Sequence, residues 1–531
     1  MHLTKNITIS KLVLLVSGFI TVTGNYKFFT EAAGIYPIQE NAIFVGSLFF
    51  WLFSFLSTAL LLVCYRFNTK FILITLLLCS SVISYFSDNY GIVFDENMIA
   101  NVFVTNMSES FDLLSFKLLL YFVLLGLIPA IYVYRLEIVY TSLNKQVWQK
   151  IKYITLLVIV FVGISLLFSK SYASLLREHK QLRLYINPSY YVYALGKHIN
   201  SQFKTIATPF KIIGQDAAVN RDNKVNKLII LVVGETARAD RMSLNGYSRA
   251  TNPLLSQQDI INFSQMYSCG TDTELSVPCM FSQLTREEYS HELGKNTSNL
   301  LDVLSYADVK VLWRDNNSSS KGVADRVEYE DYRSSDRNVV CDIECRDEGM
   351  LSDLQGYVDN NLSNDIVVIL HTMGSHGPAY YKRYPKSFES FLPVCTTNQF
   401  NECTNEQINN AYDNTIVYTD YFLNNVIEFL KNNQRSFTTA MFYMSDHGES
   451  LGEGGLYLHG MPYFIAPKEQ THVASVLWLD DNFSKEVDTD ELRNIANNEL
   501  SHDGLFHAML GLMDIKTRVY DKELDFIPYA K

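Results

Sequence analysis

The run Leu228-Ile229-Ile230-Leu231-Val232-Val233 ends in Gly234-Glu235-Thr236, and the same arrangement returns where Ala440-Met441-Phe442-Tyr443-Met444 passes into Ser445-Asp446-His447-Gly448-Glu449. Short, unbroken apolar runs of this kind read as strands buried on both faces of a parallel sheet. Sites in open α/β sheets gather outside the carboxyl ends of the strands. Two acids and an imidazole therefore fall on one edge. Between these runs lies Cys269-Gly270-Thr271-Asp272-Thr273-Glu274-Leu275-Ser276-Val277-Pro278-Cys279, where paired cysteines bracket hydroxyl side chains at the expected start of a helix. A threonine hydroxyl attacks phosphorus at neutral pH only with a base or a Lewis acid beside it. Glu235, Asp446 and His447 are zinc-ligand types, and a fourth position would suit the Thr273 oxygen. A helix starting near Thr273 would also turn amide donors toward phosphate oxygens. Taken singly, each residue has a plainer reading: an Asp-His surface pair, a Gly-Glu-Thr turn, or Thr271, Thr273 and Ser276 as helix caps. Their combination at two strand ends points to a metal-activated nucleophile.

The remainder of the 531 residues sets the context, and apolar residues, 48% of the chain, are concentrated at the amino-terminal end. Apolar stretches at 10–29, 42–64, 71–87, 116–134 and 153–168 each approach bilayer-spanning length. Lys5 and Lys11, Arg66 and Lys70, then Arg135, Lys145, Lys150 and Lys152 alternate with acidic loops carrying Glu31, Glu40, Asp88, Asp95, Glu96, Glu109 and Asp112. By the positive-inside rule the basic loops are cytoplasmic, and an odd number of spans puts everything after residue 169 outside. The first stretch lacks a small-residue cleavage site and reads as a retained span, not a signal peptide.

Cysteine usage agrees with an exported domain. Cys64 and Cys79 sit in expected spans and read as apolar packing residues. Cys269, Cys279, Cys341, Cys345, Cys395 and Cys403 form three close pairs after the last span, which implies disulfides. Nearest-neighbour pairing is the expectation, although the spacing leaves other connectivities open. Residues 169–225 mix Arg177, Lys180 and Arg183 with Tyr185, Tyr190, Tyr191 and Tyr193, suiting either the headgroup layer or a surface linker. From 226 to 531, strands expected at 228–233, 309–313, 366–370, 440–444 and 474–478 alternate with helical stretches such as 410–430, an α/β sandwich around a largely parallel sheet. His376 and His459 lie beside glycines near strand ends, either as loop histidines or in phosphate or proton-transfer roles. The net charge of −12 argues against a nucleic-acid partner.

The segments GETARADRMSLNGYSRATNP, CGTDTELSVPCMFS, WRDNNSSSKG, HTMGSHGPAYYKRYP and SDHGESLGEGGLYLHG together resemble the lipid A phosphoethanolamine transferases of Gram-negative bacteria, the group that includes the mobile colistin resistance enzymes. The resemblance spans essentially the whole chain. It implies an inner-membrane protein with a five-helix transmembrane domain (1–168), a juxtamembrane linker (169–225) and a periplasmic alkaline-phosphatase/sulfatase-like α/β/α domain (226–531), working as a monomer. It makes Thr273 the nucleophile, and Glu235, Thr273, Asp446 and His447 the Zn2+ ligands. Asn101, Thr105, Glu109, Ser318, Lys321, His376 and His459 match substrate-binding positions, and Asn101, Thr105 and Glu109, four residues apart, would share one face of a helix. The expected reaction moves phosphoethanolamine from phosphatidylethanolamine to a phosphate of lipid A through a covalent intermediate on threonine. A transferase acting on core sugars or another periplasmic acceptor, a hydrolytic phosphodiesterase or sulfatase, and a non-catalytic membrane sensor are the alternatives.

Overall fold

The computed structural model describes residues 7–105, 107–220 and 225–530, and the side chains of residues 104, 107–109, 176, 180, 206 and 207 are also left undescribed. Contacts divide the chain into two units, one of Met1–Ile99 with Leu114–His198, the other of Ala100–Leu113 with Ile199–Lys531.

In the first unit, helices Ile38–Val63, Thr69–Tyr90, Phe116–Arg135 and Leu143–Leu167 are long and apolar enough to cross a membrane. The expected span at 10–29 is a pair, Ile9–Thr23 and Tyr26–Ile35, bent by 55°, which makes one further apolar span when its two arms are taken together. Fifteen residues rise only about 22 Å against a hydrocarbon core of about 30 Å, so the first arm needs the second. The bend has a visible cause. The Asn25 amide donates to the carbonyls of Ile20 (3.0 Å) and Asn187 (2.9 Å), and its oxygen accepts from the Asn187 backbone (2.9 Å). A side chain that takes over a helical carbonyl in this way ends the ladder. Cys64 is buried as expected, whereas Cys79 stands exposed on the outer face of its helix and is not a packing residue within the unit.

In the second unit a seven-stranded sheet forms from β1 (Lys227–Gly234), β2 (Ile260–Asn262), β3 (Lys310–Asp315), β4 (Glu328–Asp331), β5 (Ile366–His371), β6 (Thr438–Ser445) and β7 (Ser475–Leu479), in the order β2-β7-β6-β1-β5-β3-β4. The five expected strands are all present. β1 runs parallel to both β5 and β6, and β7, one strand in from the edge, pairs antiparallel with both β6 and β2. All eight residues of β1 and of β6 are buried, the burial of central parallel strands covered on both faces. The two strands without a sequence signal are both edges: β2 has three residues, and β4 is Glu-Tyr-Glu-Asp, a charged edge that resists further pairing. The expected helix at 410–430 extends over Asn405–Asn433, started by a capping box between Thr404 and Gln407.

Three disulfides pair nearest neighbours, Cys269–Cys279, Cys341–Cys345 and Cys395–Cys403, with Cα separations of 6.1, 3.9 and 5.7 Å. The first closes the loop that carries Thr273. Replacing Cys269 and Cys279 together by serine is expected to cost about 2–3 kcal/mol through loop-closure entropy. Denaturant unfolding of the oxidised variant and parent checks it: an unchanged midpoint would deny the staple any stabilising role.

Candidate metal centre and catalytic pocket

The register between β1 and β6 places Gly234 opposite Ser445. The next residue on one strand and the next two on the other, Glu235 and Asp446-His447, are therefore neighbours at the carboxyl edge. One ligand atom from each of the three lies within 4.8 Å of the others, and all three side chains are fully buried. His447 Nε2 stands 3.4 Å from Glu235 Oε1 and 3.4 Å from Asp446 Oδ2.

Thr273 reaches this group from a different element. Asp272, in extended conformation, caps helix Thr273–Met280 by accepting the Leu275 amide at 3.0 Å, which puts Thr273 at the first helical position. Its hydroxyl donates to Glu235 Oε2 at 3.0 Å and lies 3.3 Å from His447 Nε2. All four expected ligands therefore converge.

The residues fit a divalent cation. Glu235 Oε1 and Asp446 Oδ2 are buried without any hydrogen-bond partner, while the other oxygen of each is occupied. Glu235 Oε2 accepts from Asn317 Nδ2 (2.7 Å) as well as Thr273, and Asp446 Oδ1 accepts the Thr236 and His447 amides (3.2 and 2.7 Å). Burial pushes the Glu235 carboxyl well up, reinforced by the charge of Asp446, and burial raises Asp446 to about 7. Two such acids side by side call for a positive charge between them. His447 supplies a neutral ligand. Burial and then the charge of His459 hold it far below the ordinary imidazole range, and Nδ1 faces the Gly448 carbonyl at 2.9 Å, which makes Nδ1 the protonated nitrogen and leaves Nε2 free to coordinate. Gly448 is required where it stands, since a Cβ there would lie 2.1 Å from the Glu469 carbonyl oxygen.

His376 and His459 flank the centre. Their ring centroids are 5.6 Å apart, and His459 is 4.4 Å from His447. Burial works against protonation of His459, yet the Glu449 carboxylate at Nδ1 (3.0 Å), with Glu235 and Asp446 beyond it, raises it to about 9. Glu449 is itself oriented by the Tyr380 hydroxyl at 2.9 Å. His376 is shifted the opposite way, by burial and then by Arg383, His459 and Lys321. The two histidines are thus shifted in opposite directions, the polarisation expected of an acid and a base in one pocket. Lys321 Nζ donates to Ser318 Oγ at 2.6 Å, so these two expected substrate positions stand together.

The remaining expected positions depart from the sequence reading. Asn101 lies in helix Glu96–Val104, and Thr105 follows its end. The Thr105 hydroxyl donates back to the Asn101 carbonyl at 2.7 Å, a local bond that competes with helix propagation. Glu109 belongs to the next helix, Met107–Asp112, so the three do not line one face of a continuous helix, and the Glu109 side chain lies outside the described residues.

Several functional neighbours had no signal of their own. Asn317 and Glu449 sit inside recognisable motifs without being distinguishable there. Ser276, on the helix of Thr273, donates to the Asp446 carbonyl. His502, 1% exposed, accepts the Cys269 amide at Nδ1 (3.1 Å) and bonds the Ser445 carbonyl through Nε2 (3.0 Å). It thereby bridges the threonine loop and the ligand strand.

Comparison with known proteins extends this geometry to the whole chain. The description "Phosphoethanolamine transferase EptA/EptB" matches residues 52–203, and "Sulfatase" matches residues 227–515. Phosphatidylethanolamine transferase Mcr-2 of Escherichia coli is 40% identical over 514 residues, covering 94% of each chain. Phosphoethanolamine transferase EptA of Escherichia coli K12 is 38% identical over 525 residues, covering 97% of this chain and 96% of its own. The integral membrane protein lipooligosaccharide phosphoethanolamine transferase A from Neisseria meningitidis superposes with a TM-score of 0.95 at 35% identity, over 98% of this chain and 99% of that one. The expected architecture, apolar spanning helices followed by a sulfatase-like α/β/α domain, holds throughout. Likeness sustained from the membrane helices through the strands that carry Glu235, Asp446 and His447 leaves one assignment: the chain belongs to the phosphoethanolamine transferase family.

Proposed function

We propose that this protein transfers phosphoethanolamine from phosphatidylethanolamine to a phosphate of lipid A, with Thr273 as the nucleophile. The observation that carries the reading is the hydrogen bond from Thr273 to Glu235 within a buried cluster that keeps two carboxylate oxygens unpartnered. Mcr-2, named a phosphatidylethanolamine transferase, and EptA, named a phosphoethanolamine transferase, support the group transferred. We assign residues 1–168 to the membrane domain, 169–225 to the juxtamembrane linker and 226–531 to a periplasmic catalytic domain. Because every group in the pocket comes from one chain, a monomer suffices.

Zinc is the metal we assign to Glu235, Thr273, Asp446 and His447, since one imidazole and oxygen donors are zinc-ligand types, and it would supply the Lewis acidity that stabilises an alkoxide. In the first step Thr273 Oγ bonds to the phosphorus of the donor as its proton leaves along the bond to Glu235. The bond from phosphorus to the diacylglycerol oxygen breaks, and cationic His459, steadied by Glu449, protonates that oxygen. In the second step an oxygen of a singly protonated lipid A phosphate attacks the phosphothreonine and gives its proton to His459, restoring the acid, while Thr273 Oγ leaves and recovers its proton from Glu235. Lys321, Ser318 and neutral His376 bind the phosphoryl oxygens. The added ammonium group offsets anionic lipid charge, which weakens adsorption of cationic peptides.

Thr273→Ala should show no phosphoethanolamine adduct by mass spectrometry and no transfer, whereas Thr273→Ser should retain both. An adduct persisting on the alanine variant overturns the assignment. Lipid A gaining no phosphoethanolamine mass in cells producing the protein would redirect the acceptor to core sugars.

Chelation should abolish transfer and lower the thermal midpoint, because the two unpartnered carboxylate oxygens lose their cation; zinc should restore both. A chelated protein with unchanged midpoint and full activity would remove the metal from the account.

A further inference from the structure

The segment Ala100–Leu113 lies in sequence between two spanning helices, yet it packs with the catalytic unit. It is anchored there through Asp112, which is 6% exposed. The carboxylate receives Lys382 Nζ on one oxygen and Arg383 Nη2 on the other at 3.1 Å, and the Asp112 carbonyl accepts from the Asn398 amide. Arg383 is itself 5% exposed, and each nitrogen of its guanidinium is engaged. Nη2 goes to Asp112, Nη1 to Glu344 inside the Cys341–Cys345 loop, and Nε to the backbone carbonyl of His376 at 2.7 Å. The end of helix Met107–Asp112 and the two loops that carry Glu344 and His376 thus meet on one planar cation.

We infer that Asp112 is a positioning residue: acting through Arg383, it sets the backbone of His376 and registers the segment bearing Asn101 and Thr105 against the catalytic pocket. The physical reason is the fork geometry of arginine. A guanidinium bonded at Nε and at both terminal nitrogens has no rotational freedom left, so the carbonyl it holds is fixed by the two acids opposite. Removing one acid frees an arm and leaves a buried cation with a single counter-charge, which favours a rearranged side chain. A shift of the His376 backbone then displaces a group that touches substrate. The inference rests on the transferase reading above.

The test uses the full-length, zinc-loaded chain in detergent micelles with phosphatidylethanolamine as donor. Asp112→Asn, Arg383→Gln and the double variant are compared for turnover, zinc per chain and hydrogen exchange over residues 376–384. Asp112→Asn should lower turnover by about tenfold to a hundredfold, the scale of a small misplacement of a reacting group, with zinc content unchanged. Exchange over 376–384 should quicken in the same variant. In the Arg383→Gln background the added Asp112 change should cost less than about twofold, because both act along one path. Unaltered exchange over 376–384, losses that multiply in the double variant, or zinc lost together with activity would each overturn the proposal. Should the parent transfer nothing from phosphatidylethanolamine, the function reading falls while the exchange result still decides the role of Asp112.

Discussion

Two carboxylates and an imidazole, sealed from water at the ends of adjacent parallel strands, are the constraint around which this fold is arranged. Burying like charges side by side is costly. The cost is tolerable where a cation offsets it, and the surroundings are built to leave room for one. Glu235 and Asp446 each spend one oxygen on fixed donors and keep the other unpartnered. The donors are backbone amides, Asn317 and Thr273, so the free oxygens have settled directions. Parallel pairing of β1 with β6 makes this possible, since its register sets Gly234 beside Ser445 and hence the ligands beside one another.

Around that centre the chain holds the reacting hydroxyl by redundancy. The Asp272 cap sets the helix start, the Cys269–Cys279 disulfide closes the loop, and His502 ties Cys269 to Ser445. Ser276 adds a bond from the same helix to the Asp446 carbonyl. No single contact is strong in net terms, because each protein hydrogen bond replaces one to water. Acting on one rigid turn, they confine the Thr273 oxygen to the neighbourhood of the ligands. Preorganisation of this kind is what a weak alcohol nucleophile requires.

The second pocket wall is electrostatic. Glu449 favours the protonated form of His459, while burial together with Arg383 and Lys321 favours the neutral form of His376. Identical side chains are shifted in opposite directions because one faces an acid and the other faces cations. Arg383 serves both purposes, shaping the field at His376 and holding its carbonyl.

What the sequence determined by itself was local: apolar runs that became strands, glycines and acids at their ends, a helix start near Thr273, and cysteines that paired with their nearest neighbours. These depend on backbone propensity and on residues close in the chain. The spanning stretches were equally legible in outline, but the break at Asn25 was not, because its cause includes Asn187, 162 residues away. Likewise nothing near Asn101 forecast that its helix would end before Glu109. Tertiary structure alone decided the partners of Asn317, His502, Asp112 and Arg383. His502 meets Ser276 across 226 residues and Arg383 meets Asp112 across 271, separations at which no periodicity or motif spacing carries information. Which polar groups are buried together, and so which must satisfy one another, emerges only when the sheet closes over them.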